Sequence, residues 1–229
     1  FLANANNITI VTVTGIDKTP GKSYISTVGN FSVWTNGHTS CIGVLSINGN
    51  GCNYENISID SCTQGFRAQS DQYCTYTSIR ARNCTIGIRV VDDTVGSGGG
   101  GNNNVWISPE ASVCDISYMC GRPTAPNPLH TISFINPISL GATFSNYVCF
   151  NYLGITFTNC SPESTVTGTI PTVYDGCTVT PGLGYFYNST VTIRDSIVAT
   201  NSQAYTLSTN SVVTFDSYNG AACSVVCDS

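Results

Sequence analysis

Asn56-Ile57-Ser58-Ile59-Asp60-Ser61-Cys62-Thr63-Gln64-Gly65-Phe66-Arg67-Ala68 returns in altered form as Ser78-Ile79-Arg80-Ala81-Arg82-Asn83-Cys84-Thr85-Ile86-Gly87-Ile88-Arg89-Val90. Ile57 and Ile79, Cys62 and Cys84, Gly65 and Gly87, and Arg67 and Arg89 all lie 22 residues apart, and Cys52 and Cys74 keep that offset upstream. A period in the twenties marks a solenoid of stacked coils. Within each unit the apolar residues alternate, as in Ile57/Ile59 and Ile86/Ile88/Val90, which is the period of a strand and not of a helix. The Leu and Asn framework of a leucine-rich repeat is missing. The stretch therefore predicts a parallel β-helix in which equivalent residues pile into ladders.

The period extends outward from this pair. With the first inward apolar residue of each coil as marker, the series is Ile8, Phe31, Ile57, Ile79, Ile107, Ile132, Ile155, Val191 and Val213. The spacing between Ile79 and Ile107 contains the Gly/Asn-rich run 96–104, read as a loop bulging from one corner. The gap before Val191 holds Pro171 and the Pro181-Gly182-Leu183-Gly184 turn, read as an insertion. A second column, Ser61, Asn83, Asn136, Asn159, Asp195 and Ser217, supplies short polar residues suited to bends. About nine coils at about 4.8 Å each give a rod of about 43 Å.

By coil period and corner polar residues the chain resembles the pectin-lyase-like right-handed parallel β-helix superfamily over most of its length. The resemblance implies a single-stranded right-handed solenoid and no single activity, because lyases, hydrolases, phage tailspikes and inert surface proteins share that fold. Lyase-like members carry a strand ending in Trp-x-Asp-His. Val105-Trp106-Ile107-Ser108-Pro109 matches its first half only, with Ser108 and Pro109 where the Asp and His should stand. Polygalacturonase-like members use aspartates, a Gly-His and an Arg-x-Lys to protonate a leaving oxygen and activate water. Asp92-Asp93 and Asn36-Gly37-His38 match loosely, but the only lysines are Lys18 and Lys22, far from any such cluster. The expectation is a protein that is not an enzyme, with no catalytic residue, no metal and no cofactor.

Composition narrows the classes further. One domain spans 1–229, with an N-terminal tail 1–6 and a Cys-containing C-terminal tail 219–229. Charged residues make up 9% and the net charge is −5, which excludes a basic nucleic-acid-binding surface. Apolar residues make up 41% and alternate, so the low charge does not signal disorder. Capped apolar stretches of helical period are missing, and no run of 18 apolar residues spans a membrane. The start at Phe1, without Met or a basic leader, fits a mature secreted protein.

Twelve cysteines with no zinc-like pairing to His38 or His130 point to disulfides in an oxidising compartment. Stacked coils bring equivalent Cα atoms within disulfide range, so Cys52–Cys74 and Cys62–Cys84 are the expected bridges, with Cys114–Cys120 and Cys223–Cys227 as nearby pairs. The competing reading is a ladder of buried thiols. Six Asn-x-Ser/Thr sequons, at Asn7, Asn30, Asn56, Asn83, Asn159 and Asn188, agree with secretion and N-glycosylation. Asn83 and Asn159 can equally be corner or ladder residues.

The ends set the functional expectation. A β-helix leaves unpaired backbone groups on its outer coils, and solenoids usually cap them. Here strand pattern begins at Asn7-Ile8-Thr9-Ile10 and persists to Val213-Thr214-Phe215 without a capping helix. Complementary open ends make a heterologous contact that builds filaments. Phe1, Leu2, Ile8, Ile10, Val213 and Phe215 are the candidate assembly residues. The expected function is a secreted, glycosylated, disulfide-linked structural protein that stacks head to tail into an extracellular fibre or appendage. A second reading is a polysaccharide-binding or polysaccharide-cleaving β-helix with its site around Arg67, Arg89, Asp92 and Asp93, and a third is a trimeric adhesin or spike fragment.

Overall fold

The computed structural model describes residues 1–14, 26–91, 103–124, 129–164, 172–174, 177–195, 204–216 and 224–228. Its elements in chain order are strands alone. They are β1 (Thr9–Thr14), β2 (Thr27–Trp34), β3 (Ile42–Ile47), β4 (Asn53–Asp60), β5 (Gln64–Gln69), β6 (Thr75–Arg82) and β7 (Ile86–Val91). Then come β8 (Asn104–Ile107), β9 (Glu110–Ser112), β10 (Ile116–Gly121), β11 (Leu129–Ile135), β12 (Ile138–Ala142), β13 (Ser145–Phe150) and β14 (Tyr152–Thr158). The last are β15 (Ser161–Ser164), β16 (Thr172–Tyr174), β17 (Cys177–Val179), β18 (Gly182–Tyr187), β19 (Thr190–Arg194), β20 (Ala204–Ser208), β21 (Val212–Asp216) and β22 (Ser224–Asp228).

The chain is a parallel β-helix with three faces, as the repeat predicts. One face is the nine-stranded run β1-β3-β5-β7-β10-β13-β18-β20-β22. The other two are joined in the early coils, where β2, β4 and β6 each run across both. They part after β6, which pairs with β8 through Thr75↔Val105 and with β9 through Arg80↔Glu110. Six turns, those entered by β2, β4, β6, β8, β11 and β14, have strands on all three faces. The turns outside them lack a face among the described residues, so complete coils number about six where the marker series gives nine. An antiparallel hairpin, β16–β17, leaves the tube between β15 and β18.

The bends are made by single residues held at positive φ, where Asn, Asp and Gly meet the least steric cost. Asn30, Asn56, Ser78, Ser108, Asn136, Asn159 and Asp195 occupy one corner. Ser61, Asn83, Val113 and Gly141 occupy the next, and Asn48, Ser70, Asn151 and Asn188 a third. The single corner column read from the sequence therefore merges two: Ser61 and Asn83 belong to one bend, Asn136, Asn159 and Asp195 to another. Ser217 lies outside the described residues.

Register corrects the marker series as well. Phe31, Ile57 and Ile79 form one inward ladder that continues through Pro109, Pro137 and Cys160, as the neighbouring pairs Arg80↔Glu110, Ile138↔Glu110 and Ile138↔Ser161 require. Ile132, Ile155, Val191 and Val213 form a different ladder, which begins at Cys52, Cys74 and Asn104. Ile107 is not inward; Trp106 beside it is fully buried.

Between these ladders runs an aromatic one: Val28, Tyr54, Tyr76, Trp106, Phe134, Phe157, Ile193 and Phe215 are consecutive register partners. Tyr54 stacks on Tyr76 at 4.9 Å, Tyr76 on Trp106 at 3.8 Å and Phe134 on Phe157 at 5.0 Å between centroids. A second apolar layer lies on the outer side of the nine-stranded face, built from Ile86, Ile116, Met119, Phe144, Val148, Phe150, Val179 and Tyr185. It makes β7, β10 and β13 buried at every position, on both sides.

The stretches expected as tails are partly in the sheets. Leu2 bridges to Trp34 and Ala3 is buried, while Ser224–Asp228 is the ninth strand of its face, paired to β20. Of the run 96–104, residues 96–102 lie outside the described ones. Asn104 opens β8, buried, and its side chain bonds the amide of Cys74 and the carbonyl of Asp71.

Candidate functional site

The outermost rungs are where the ladders end. At the first end, among the described residues, β1 pairs only with β3, and β2 pairs with β4 along its length and with Leu2 at Trp34. Ile10, Val11, Val13, Val28 and Phe31 are inward side chains there, packed on the core from one side and partly exposed from the other. At the opposite end Leu207, Val213 and Phe215 have the same half-covered state. Phe1 and Leu2 are 69% and 56% exposed, and Val212, Val225 and Val226 are 53%, 45% and 49% exposed. Phe1 packs edge-on against Phe31 at 5.4 Å and its amino group bonds the Ser32 carbonyl. The six assembly candidates thus sit on the two end rungs, Phe1, Leu2, Ile8 and Ile10 at one and Val213 and Phe215 at the other. The nine-stranded face starts one rung ahead of its neighbour, since β1 stands beyond β2.

Among the described residues the cysteines stand as thiols: of the ten with a stated side chain, nine are buried and Cys227 is exposed. The register sets Cys52 beside Cys74 and Cys62 beside Cys84, the neighbours that the expected bridges require, and each of the four is a stacked thiol in this structure. Cys114 continues the Cys62/Cys84 column and Cys120 faces Cys149, so Cys114 and Cys120 stand in different columns. Cys223 lies outside the described residues. The hydrogen bond to Cys84, then burial, pushes Cys62 and Cys114 up, and Cys84 accepts from both sides, which lowers it relative to them.

One carboxylate lies inside the tube. Asp71 is 1% exposed, and it accepts the Gly49 N–H and the Tyr76 O–H, each at 2.6 Å. Ser46 bonds the Tyr54 hydroxyl and extends the network by one coil. Burial raises the Asp71 carboxyl, against these hydrogen bonds, which lower it. Burial and the nearby carboxylate push Cys74 up to about 12. Asp71 stands in the polar run Gln69-Ser70-Asp71-Gln72, so the sequence gives no sign of its burial.

The other candidates scatter. Arg89 is 5% exposed, under the outer apolar layer, and Arg67 bonds Gln64. Asp92 and Asp93 lie outside the described residues, so Arg67 and Arg89 are the two sugar-binding candidates with a described place. Ser108, at the lyase-like Asp position, is a corner residue with φ 49°, and Pro109, at the His position, is buried in a ladder. His38 is half-buried and meets Asn6 at 3.2 Å. Among the described residues no group of three His, Cys, Asp or Glu is arranged around a metal.

All six sequon asparagines have positive φ, between 46° and 61°. Asn7, Asn30, Asn56, Asn83 and Asn159 are exposed and Asn188 is half-buried. Four of them also form rungs of side-chain ladders: Asn56 donates to Asn30, Asn83 to Asp60, Asn159 to Asn136 and Asn188 to Asn151, at 3.2, 3.1, 3.1 and 2.7 Å. No helix among the described residues is long and apolar enough to cross a membrane. No family model matches this chain, and neither does any curated protein or solved structure compared with it.

Proposed function

We propose that this chain is a non-catalytic, secreted structural glycoprotein with a pectin-lyase-like coil, whose copies associate end to end into an extracellular fibre or surface appendage. The observation that carries this reading is the state of the two end rungs. Each continues the inward columns of the core, and among the described residues Val11 and Val28 at one end and Val213 and Phe215 at the other are only partly covered. An uncovered apolar rung with free backbone groups is a template for another strand. The two ends differ, so the contact is heterologous and propagates. Contact through β22 of one copy and β1 of the next continues the nine-stranded ladder.

Exposed asparagines at the corners support the glycoprotein part. In a glycosylated asparagine the remaining amide hydrogen lies opposite the carbonyl, so Asn56, Asn83 and Asn159 keep their ladder bonds while carrying a sugar. The buried cysteines no longer argue for an oxidising compartment; the sequons alone support secretion.

Electron microscopy of the natively purified, unreduced protein at neutral pH tests the assembly. Filaments with an axial repeat near the length of one β-helix are expected, and Val225→Arg, at an exposed end-rung position, disperses them. Discrete single particles at all concentrations would exclude end-to-end association. Peptide mapping of the same sample reads glycan occupancy at the sequons.

A further inference from the structure

The cysteines carry information that the end-to-end reading does not use. Cys41, Cys52, Cys62, Cys74, Cys84, Cys114 and Cys160 each follow directly on a corner residue of positive φ: Ser40, Gly51, Ser61, Tyr73, Asn83, Val113 and Asn159. In the first six the sulfur lies within hydrogen-bonding reach of the carbonyl two residues back, at 3.4, 4.0, 3.5, 3.3, 3.2 and 3.5 Å. The left-handed residue turns the chain so that the next side chain points inward beneath that carbonyl. Cysteine is a small apolar side chain with a weak donor, which fits the place. The Cys62 and Cys84 sulfurs also lie over glycines of the coil before. A Cβ on Gly43 would stand 3.2 Å from the Cys62 sulfur, and one on Gly65 3.3 Å from that of Cys84. Corners, and not cross-links, thus account for most of the cysteine content.

We propose that these corner thiols make the β-helix a redox-gated fold: the chain closes only while they are reduced, which on the secretory route that the sequons support requires closure to precede oxidation, and the closed coil then shields them. In the open chain, two cysteine thiols and one glutathione disulfide exchange to give one protein disulfide and two glutathione thiols, so two electrons and two protons pass to the oxidant. Any two of the twelve cysteines can join in that state. Pairs such as Cys52 and Cys62 stand at different corners of the coil, and a bond between them holds the strands out of register. Even a register-matched pair gives up its two S–H donors at the corners. Once the coil is closed, the nine buried cysteines have between 0% and 7% of their surface exposed, and exchange needs an accessible thiolate.

The test separates the open from the closed chain. Denatured, fully reduced protein is refolded in glutathione buffers from reducing to oxidising, and a second sample is folded under reduction before transfer to the most oxidising buffer. Circular dichroism measures the folded fraction, and alkylation before and after denaturation, with peptide mapping, locates thiols. Expected are a refolding yield at least about fivefold lower in the oxidising buffer, and a folded-first sample that keeps its spectrum and its nine buried thiols. Equal yields in both buffers, zero included, overturn the gate. So does a Cys52–Cys74, Cys62–Cys84 or Cys120–Cys149 cross-linked peptide from the folded-first sample. Neither result depends on whether filaments form.

Discussion

The ring of Tyr76 lies flat on that of Trp106, with centroids 3.8 Å apart and planes 7° from parallel. The two residues are 30 positions apart in the chain and one coil apart in the tube, where β6 hands over to the split strands β8 and β9. Phe66 closes the group edge-on, at 5.5 Å from Tyr76 and 5.6 Å from Trp106. The stack therefore joins the short early coils to the longer later ones. Trp106→Ala removes its centre and leaves a cavity between two coils. A loss of about 3–5 kcal/mol is expected, measured by chemical denaturation, while Trp34→Ala, at a 51% exposed site, changes stability little.

Asp71 makes the fold sensitive to pH in an unusual direction. Its folded carboxyl is raised above the unfolded value, chiefly by burial. The folded state therefore holds this proton more tightly, and the group's contribution is complete below the unfolded carboxyl range, about pH 4. It is lost as pH rises through the folded pKa. Asp71→Asn keeps an acceptor for Gly49 and removes the titration, so its stability-against-pH curve lacks that loss. Asp71→Ala strands the Gly49 N–H and the Tyr76 O–H, and about 2–4 kcal/mol is the expected cost. Denaturation midpoints from pH 4 to 8 distinguish the two.

Gly65 marks a close approach between coils. A Cβ there would meet the Gly87 carbonyl oxygen at 2.4 Å and the Ala81 Cβ at 2.8 Å, and backbone does not yield cheaply. Gly65→Ala is expected to cost about 1–3 kcal/mol. Gly51→Ala serves as comparison: its φ of 68° strains the substitution but nothing lies within 4 Å, so its cost is the backbone term alone, about 1 kcal/mol.

Asn56 separates corner chemistry from sugar attachment. Asn56→Gly keeps the left-handed bend and loses the bond to Asn30, whereas Asn56→Val meets the full steric penalty at φ 51°. The valine variant should be the less stable by about 1–2 kcal/mol. Ser58→Ala abolishes the sequon and leaves the asparagine in place, so any stability change it shows reports the glycan.

The fold was legible because the coils from Asn56 to Val90 have equal length, so Ile57 and Ile79, or Gly65 and Gly87, align without a gap. Where coils lengthen, the apolar marker fails. The ladder of Ile57 and Ile79 passes into Pro109 and Pro137, which strand patterns do not flag, and that of Cys52 and Cys74 passes through the polar Asn104. Ile107 took the place of Trp106 by a slip of one residue, which exchanges inside for outside. The cysteine positions were legible as neighbours, but sequence spacing gives the approach of backbones and not of sulfurs. The outer layer around Met119 and Val148 was hidden because its cover comes from distant chain. The end rungs were visible as strand pattern running to both extremes.

The two 22-residue coils around Ile57 and Ile79 have a consequence for heredity. Every side chain in such a coil is judged by the coil above and the coil below, and by little else. Joining Asn56 directly to Ile79 would lay Arg67-like chemistry on the same columns, with Ile on Phe31 and Cys84 near Cys41. A gene built this way can gain or lose a coil in one recombination event and still encode a closed ladder. Length is then a heritable variable of its own, tuned in steps of one rung.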